Sequence, residues 1–259
     1  MEIKLWENEI PFYTEGADTP NYMTFYPAPT HHPSPCIVIY PGGGYGGRAG
    51  HEGDPVAEYF VSRGMHACVV HYRVSPNRHP APLCDAQRAI KIIRANAKKL
   101  YVDPDKVVTL GFSAGGHLAA STITLDEVIT DIDDEIAKQN YLPNGAILCY
   151  PVIDVCSDFA HKGSGKNLLG DEYDAKGADF CLQNKVSDKT PPVFMWHTSN
   201  DQAVNVKNSL EFGKALREHS VPFEMHIFPD GPHGLGLALL KPDVSKWASL
   251  AADWVIRNI

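Results

Sequence analysis

A chain of 259 residues with 44% hydrophobic and 21% charged side chains is long enough to bury one large core, which excludes disordered and fibrous classes. Its 23 Lys and Arg against 31 Asp and Glu leave a formal net charge of −8 with no basic cluster, so a nucleic-acid backbone is not an expected partner. Met1 to Pro11 lacks the basic start and apolar run of a signal peptide. No stretch approaches the roughly 20 apolar residues that span a bilayer, so neither export by that route nor a membrane partner is expected.

In chain order, Ile3 to Ile10 and Tyr22 to Tyr26 read as antiparallel edge strands, followed by a Pro-rich loop from Pro27 to Pro35. Six β-rich runs then alternate with helical stretches: Cys36 to Tyr40, Ala67 to Tyr72, Lys106 to Leu110, Ala146 to Tyr150, Val193 to His197 and Phe223 to Phe228. They are almost continuously apolar, as strands covered on both sides must be. The predicted fold class is therefore α/β, a mostly parallel central sheet with helices on both faces. Asp54 is expected to cap a first helix with Pro55 at its first position. Leu83 to Leu100 is a second helix, a third starts just after Ser113 and runs to Thr122, and a fourth spans Val206 to Glu218. The segment 154–192, with Gly163, Gly165, Gly170 and Gly177 among charges, has no strong period. It reads as a surface excursion of a single domain covering 1–259, a lid or a substrate wall. The six cysteines form no C-x-x-C pair and read as reduced core thiols, which points to the cytoplasm.

Gly111-Phe112-Ser113-Ala114-Gly115 matches G-x-S-x-G between a β run and a helix-compatible run. A sharp strand-to-helix turn needs small residues two before and two after the serine, and Gly111 and Gly115 meet that need. Such a turn lifts the Ser113 hydroxyl clear of the sheet and aims helix N-terminal N–H groups at a developing oxyanion. The glycine run Pro41 to Gly47 also satisfies G-x-G-x-x-G. A dinucleotide site, however, needs an acid at the end of the next strand, which here ends His71-Tyr72-Arg73. An oxyanion loop is the preferred reading, with the N–H groups of Gly43, Gly44 and Ala114 as donors.

Twelve histidines compete for the role of base. Chain order in this architecture is Ser, then acid, then His. His233 sits in a Gly/Pro-shaped loop directly after the Phe223 to Phe228 strand, whereas His226 lies inside that strand, His197 ends an earlier one and His117 follows Ser113 on its helix. Asp201, in a turn-rich stretch after Val193 to His197, is preferred over Asp154 as the acid that orients His233. Tyr45, Arg48 and His51 follow the glycine loop and are candidates for the alcohol side of a substrate. Asp131, Asp133, Asp134 and Glu135 lack the turn glycine of a calcium loop and read as a solvated helical face, and His31-His32 has no further spaced ligands. No metal and no cofactor are expected.

Together, YPGGGYGG, DPDKVVTLGFSAGGHLAA, LLGDEYD, HTSNDQAV and PDGPHGLG resemble the small acetyl esterases and carbohydrate esterases of the α/β-hydrolase superfamily, from about Cys36 to Ile259. The resemblance implies a Ser113–His233–Asp201 triad and oxyanion donors from the Gly42 to Gly44 loop. It also implies hydrolysis of short acyl esters, chiefly acetyl, on sugar hydroxyls. One departure is Pro41, where related lipases and esterases carry a histidine before the glycines. Prolyl oligopeptidase relatives and kynurenine formamidase share the architecture, so amide cleavage is a rival reading, although the chain has no room for a peptide-screening domain. A catalytically silent binding protein is a third reading, against which stands the presence of all three triad residue types. Self-association into a homo-oligomer is neither required nor excluded by the sequence.

Overall fold

The computed structural model describes residues 1–259 and places eight strands in one sheet. In chain order the elements are β1 (Glu2–Lys4), β2 (Tyr22–Tyr26), β3 (Ser34–Tyr40), α1 (Asp54–Ser62), β4 (His66–Val70), α2 (Ala81–Ala95), α3 (Ala97–Leu100), β5 (Val102–Phe112) and α4 (Ala114–Thr124). There follow β6 (Gly145–Cys149), α5 (Lys162–Leu169), α6 (Tyr173–Lys176), β7 (Val193–Thr198), α7 (Lys207–Glu218), β8 (Phe223–Phe228) and α8 (Lys246–Asn258). The strand order is β1-β2-β4-β3-β5-β6-β7-β8. Pairing is antiparallel for β1 with β2 and for β2 with β4, and parallel from β4 through β8.

Alternation along the central strands explains the two layers of helices. In β3, Cys36, Val38 and Tyr40 face a core shared with α2, α4 and α7, while Ile37 and Ile39 face a second core shared with α1 and α8. The second core is rich in aromatics: Trp247 of α8 is fully buried, stacks on Trp196 of β7 with centroids 5.3 Å apart, and meets Phe112 edge-on at 5.8 Å. Burying such a side chain stabilises the fold by roughly 3 kcal/mol, so the C-terminal helix is a firm part of the sheet's cover.

Several elements differ from their sequence-based expectation. The expected strand Ile3 to Ile10 stops at Lys4, because Trp6 turns inward: its indole N–H donates to Asp85 (2.9 Å), and Asn21 holds its backbone on both sides. The expected helix Leu83 to Leu100 starts earlier and breaks at Asn96, whose side chain caps the Ile92 carbonyl (2.9 Å). The cap of α1 is Gly53, and Asp54 is already helical. Residues 131–135 form an irregular, bent loop rather than a helical face, and Asp134 grips the buried Arg88 with both oxygens. β8, read as a covered strand, is the sheet edge and is only half-buried. α8 was not expected, although Trp247, Ala251, Trp254 and Val255 carry a helical spacing. The 154–192 segment is built of short helices and sends Leu168, Leu169, Phe180 and Leu182 into the first core.

Candidate active site

β5 runs into α4 through Ser113, whose backbone sits at φ 54°, ψ −118°, a region that non-glycine residues avoid at a cost of about 1–3 kcal/mol. Its neighbours allow nothing larger than glycine. A methyl at Gly111 would lie 1.9 Å from the Gly115 carbonyl oxygen, and one at Gly115 would lie 2.1 Å from that of Tyr40. The Ser113 N–H donates to Cys149 O (3.0 Å) and its carbonyl accepts from Val152 N–H (2.9 Å), so β6 on one side fixes the turn.

Three loops at the carboxyl end of the parallel strands bring distant residues into one hydrogen-bonded row. Ser113 Oγ lies 2.8 Å from His233 Nε2, and His233 Nδ1 lies 2.7 Å from Asp201 Oδ2. Asp201 Oδ1 accepts the N–H groups of Ala203 (2.9 Å) and Val204 (3.0 Å), leaving Oδ2 for the imidazole. Burial pushes the Asp201 carboxyl up, but hydrogen bonds from His197, His233 and the Val204 N–H outweigh it and hold the group well below the usual carboxylate range. An ionised carboxylate only accepts, so His233 carries its proton on Nδ1 and Nε2 is free to accept from the Ser113 hydroxyl. His197 is buried; its Nε2 donates chiefly to Val204 O (3.0 Å) and lies 3.4 Å from Asp201 Oδ2, while Nδ1 meets Ser209 Oγ (2.8 Å). It supports Asp201 and makes no hydrogen bond to Ser113. His226, the strand histidine, pairs with Glu224 (2.9 Å).

The loop carrying Asp201 and the loop carrying His233 are stitched to each other. Asn200 donates to Asp230 (2.7 Å) and accepts the Gly231 N–H (3.0 Å), and Thr198 Oγ1 donates to Gly231 O (2.8 Å). Farther along, Trp247 Nε1 donates to Gly236 O (3.0 Å), and the Tyr150 ring meets the His233 ring edge-on at 5.0 Å.

In the glycine loop, Gly43 (φ +135°) and Gly44 (φ +63°) adopt backbone angles that L side chains rarely take, and a methyl at Gly43 would strike Gly47 O at 2.4 Å. The N–H groups of Gly43, Gly44 and Ala114 donate to no protein acceptor. Ala114 also begins α4, where the helix dipole favours negative charge. Gly42 is different: its N–H is taken by Glu52 Oε2 at 2.7 Å, so it is not a free donor.

The three expected substrate contacts separate. Tyr45 is 1% exposed, its hydroxyl bonded to His117 Nδ1 (2.9 Å), and is corrected to a strut beneath the loop. Arg48 donates to Tyr72 O (2.8 Å) and reaches Asp18, tying the loop to the N-terminal segment. His51 stays more than half exposed and bonds to Gly234 O (2.8 Å), next in sequence to His233. His117 donates from Nε2 to Phe180 O (2.9 Å), joining Tyr45 to the 154–192 segment; burial holds its pKa down to about 4. In the same segment Asn167 Nδ2 donates to Gly44 O (2.9 Å).

Asp154, the alternative acid, accepts from Cys156 N–H (2.9 Å), Ser157 N–H (2.8 Å) and Gln183 Nε2 (2.5 Å) and has no histidine ring on its carboxylate. The ligand atoms of Asp154, Cys156 and Cys181 lie within 4.8 Å of one another, the one cluster of metal-ligand type, and it belongs to the excursion rather than to Ser113. Cys156 is exposed, which corrects its reading as a core thiol; its Sγ lies 2.8 Å from Cys181 Sγ. Sequence reasoning also passed over Glu52 and Tyr150, for which no motif gave a signal.

Comparison with known proteins agrees with this architecture. The family model described as BD-FAE matches residues 24–216. The chain is 41% identical over 208 residues to Endo-1,4-beta-xylanase B of Butyrivibrio fibrisolvens, covering 78% of this chain and 33% of that protein. It is 32% identical over 225 residues to an acetylxylan esterase of Xylanibacter ruminicola, covering 82% of this chain and 45% of the relative. It thus spans less than half the length of these curated relatives. The crystal structure of an acetyl ester-xyloside bifunctional hydrolase from Caldicellulosiruptor lactoaceticus superposes with a TM-score of 0.93 at 46% identity, over 98% of this chain and 94% of that one. With an α/β-hydrolase fold and a family match across most of its strands, this chain belongs to the BD-FAE family.

Proposed function

We propose that this chain is a serine carboxylesterase that removes short acyl groups, chiefly acetyl, from sugar hydroxyls, with Ser113 as nucleophile, His233 as general base and Asp201 as the acid that orients it. The observation that carries the reading is the row Ser113 Oγ–His233 Nε2–His233 Nδ1–Asp201 Oδ2, at 2.8 and 2.7 Å, beside three unpaired N–H groups. Relatives named for acetylxylan and for acetyl esters support the substrate class.

In this mechanism Ser113 Oγ attacks the ester carbonyl carbon as its proton passes to His233 Nε2. The carbonyl oxygen becomes an anion met by the N–H groups of Gly43, Gly44 and Ala114, each contributing about 3 kcal/mol to lowering the barrier. Collapse breaks the ester bond; the alcohol leaves with the proton from Nε2, and an acetyl group stays on Ser113. A water that gives its proton to His233 Nε2 then attacks the acyl carbon; as the bond to Ser113 Oγ breaks, the proton passes from Nε2 to that oxygen and acetate leaves. Every proton moves between serine, imidazole, alcohol and water, so the chemistry calls for no cofactor. The 154–192 segment acts as a wall of the same single domain, since Asn167 holds the glycine loop from that side. The buried thiols Cys36, Cys68, Cys84 and Cys149 support a reducing compartment such as the cytoplasm.

Rates on nitrophenyl esters of increasing acyl length, on an acetylated xylo-oligosaccharide and on an N-formyl amide, each repeated with Ser113→Ala, test this reading. Acetyl esters should be fastest and the variant should lose about a millionfold in kcat. An active Ser113→Ala protein defeats the mechanism, and preference for the formamide moves the reaction to amide cleavage.

A further inference from the structure

Glu52 ends a short 3-10 turn, Gly50–Glu52, and is 2% exposed. No lysine or arginine pairs with it; the nearest cation-forming group is His51 Nε2 at 3.9 Å, on a side chain 58% exposed. A carboxylate buried without a cation is costly unless hydrogen bonds replace its water. Two do so. Oε2 accepts the Gly42 N–H at 2.7 Å, and Oε1 accepts the Tyr150 hydroxyl at 2.6 Å. The Tyr150 oxygen in turn accepts the Gly236 N–H at 2.9 Å.

These bonds reach two loops at once. Gly42 adjoins the unpaired N–H of Gly43, and a methyl on Gly42 would come within 2.7 Å of Glu52 Oε2 and 3.0 Å of Ser113 Cβ, so Gly42 is wedged between the carboxylate and the Ser113 side chain. Gly236 is on the loop that carries His233. Tyr150 itself is held at φ 37°, a strained angle for a tyrosine, and its ring lies against the His233 ring. Burial and the neighbouring Glu52 push the Tyr150 phenol well up, which keeps it a donor to the carboxylate.

We propose that Glu52 is a positioning residue for hydrolysis at Ser113: one buried carboxylate fixes the glycine loop and, through Tyr150, the base loop, relative to the nucleophile. The proposal rests on the esterase reading above. An acceptor-only group is required, because both Gly42 N–H and Tyr150 O–H must donate to it for the tyrosine oxygen to remain open to Gly236. A glutamine in its place offers an NH2 on one side, competes for that oxygen, and lets the two loops shift. Glu52 is buried, and its carboxylate oxygens are taken by Gly42 and Tyr150 rather than by Ser113 or His233. Its loss therefore disturbs the transition state, where oxyanion and imidazolium must both be met, more than ground-state binding.

The test compares Glu52→Gln and Tyr150→Phe with the unaltered protein. The measurements are kcat and KM on nitrophenyl acetate, the rate of Ser113 phosphonylation by an organophosphonate, and the midpoint of thermal unfolding. Glu52→Gln should lower kcat and the phosphonylation rate by about a hundredfold with KM changed less than about twofold. Tyr150→Phe keeps the Gly42 bond, frees only the base loop, and should lose about tenfold in both rates. Folded variants with unchanged rates, or with a raised KM and unchanged kcat, overturn the proposal. If Glu52→Gln does not fold, Tyr150→Phe decides alone. An unaltered protein inert to every ester overturns the esterase reading instead, and the phosphonylation rates still report on Glu52.

Discussion

Two aspartates follow neighbouring strands and build nearly the same turn. After β7, Asp201 Oδ1 accepts the N–H groups two and three residues on, at 2.9 and 3.0 Å; after β6, Asp154 Oδ1 does the same at 2.9 and 2.8 Å. Both are buried, and in both burial pushes the carboxyl up while hydrogen bonds outweigh it and lower it from 3.8. They part at the second oxygen: Asp201 Oδ2 faces His233 at 2.7 Å, Asp154 Oδ2 faces Gln183 at 2.5 Å. Local sequence therefore makes a buried carboxylate with one oxygen to spare, and a residue far along the chain decides whether that oxygen serves an imidazole or a fold.

The same substitution at the two positions should give opposite results. Asp201→Asn keeps the turn through its amide oxygen but presents an NH2 to His233 Nδ1. That favours the tautomer protonated on Nε2, which cannot accept from Ser113, so kcat should fall about ten-thousandfold with the unfolding midpoint little changed. Equal activity would mean that Asp201 does not orient the base.

Acid titration separates the carboxylates from the histidines around them. His117 has its pKa lowered to about 4 by burial, and His79 likewise, by burial and Lys176, from an unfolded value of 6.5. A lowered folded value means that the neutral ring contributes stability in full above pH 6.5 and loses it as pH falls through about 4. His117 alone should cost about 3 kcal/mol between pH 7 and pH 4. The contributions of Asp154 and Asp201 persist above 3.8 and are lost only below it. Denaturant unfolding across this range should show two successive losses, and His117→Gln should remove about half of the first, leaving the part due to His79; a flat curve down to pH 4 would contradict the buried, neutral His117.

The smallest effect is expected for Asp154→Asn. Gln183 Oε1 has no partner and needs only an amide flip to accept from the new NH2, so stability should drop by about 1 kcal/mol and kcat by less than about threefold. A loss of activity comparable to that of Asp201→Asn would erase the distinction between the two acids.

The serine turn was legible because steric demand writes itself locally: Gly111 and Gly115 have no room for a methyl, and a β run and a helix flank them. Asp201 and His233 were legible only through chain order, since neither local turn differs enough from its rivals. Tyr45 was misread because a tyrosine in a glycine loop looks exposed, and nothing nearby reveals that His117 draws its hydroxyl inward. Glu52 was invisible for the opposite reason: an acid beside a histidine and a glycine looks solvated, and its partners Gly42 and Tyr150 come from separate loops, with Gly236 joined only through Tyr150. The helix periodicity of α8 was present and went unread.

The bond from Trp247 to Gly236 has a consequence for the order of events during synthesis. Ser113, Asp201 and His233 have all been translated once residue 233 is made, yet the backbone three residues past the histidine is gripped by an indole that leaves the ribosome later. If the proposed chemistry holds, the loop carrying His233 gains this anchor only once α8 has packed onto the sheet, so hydrolysis should follow the docking of that helix rather than precede it.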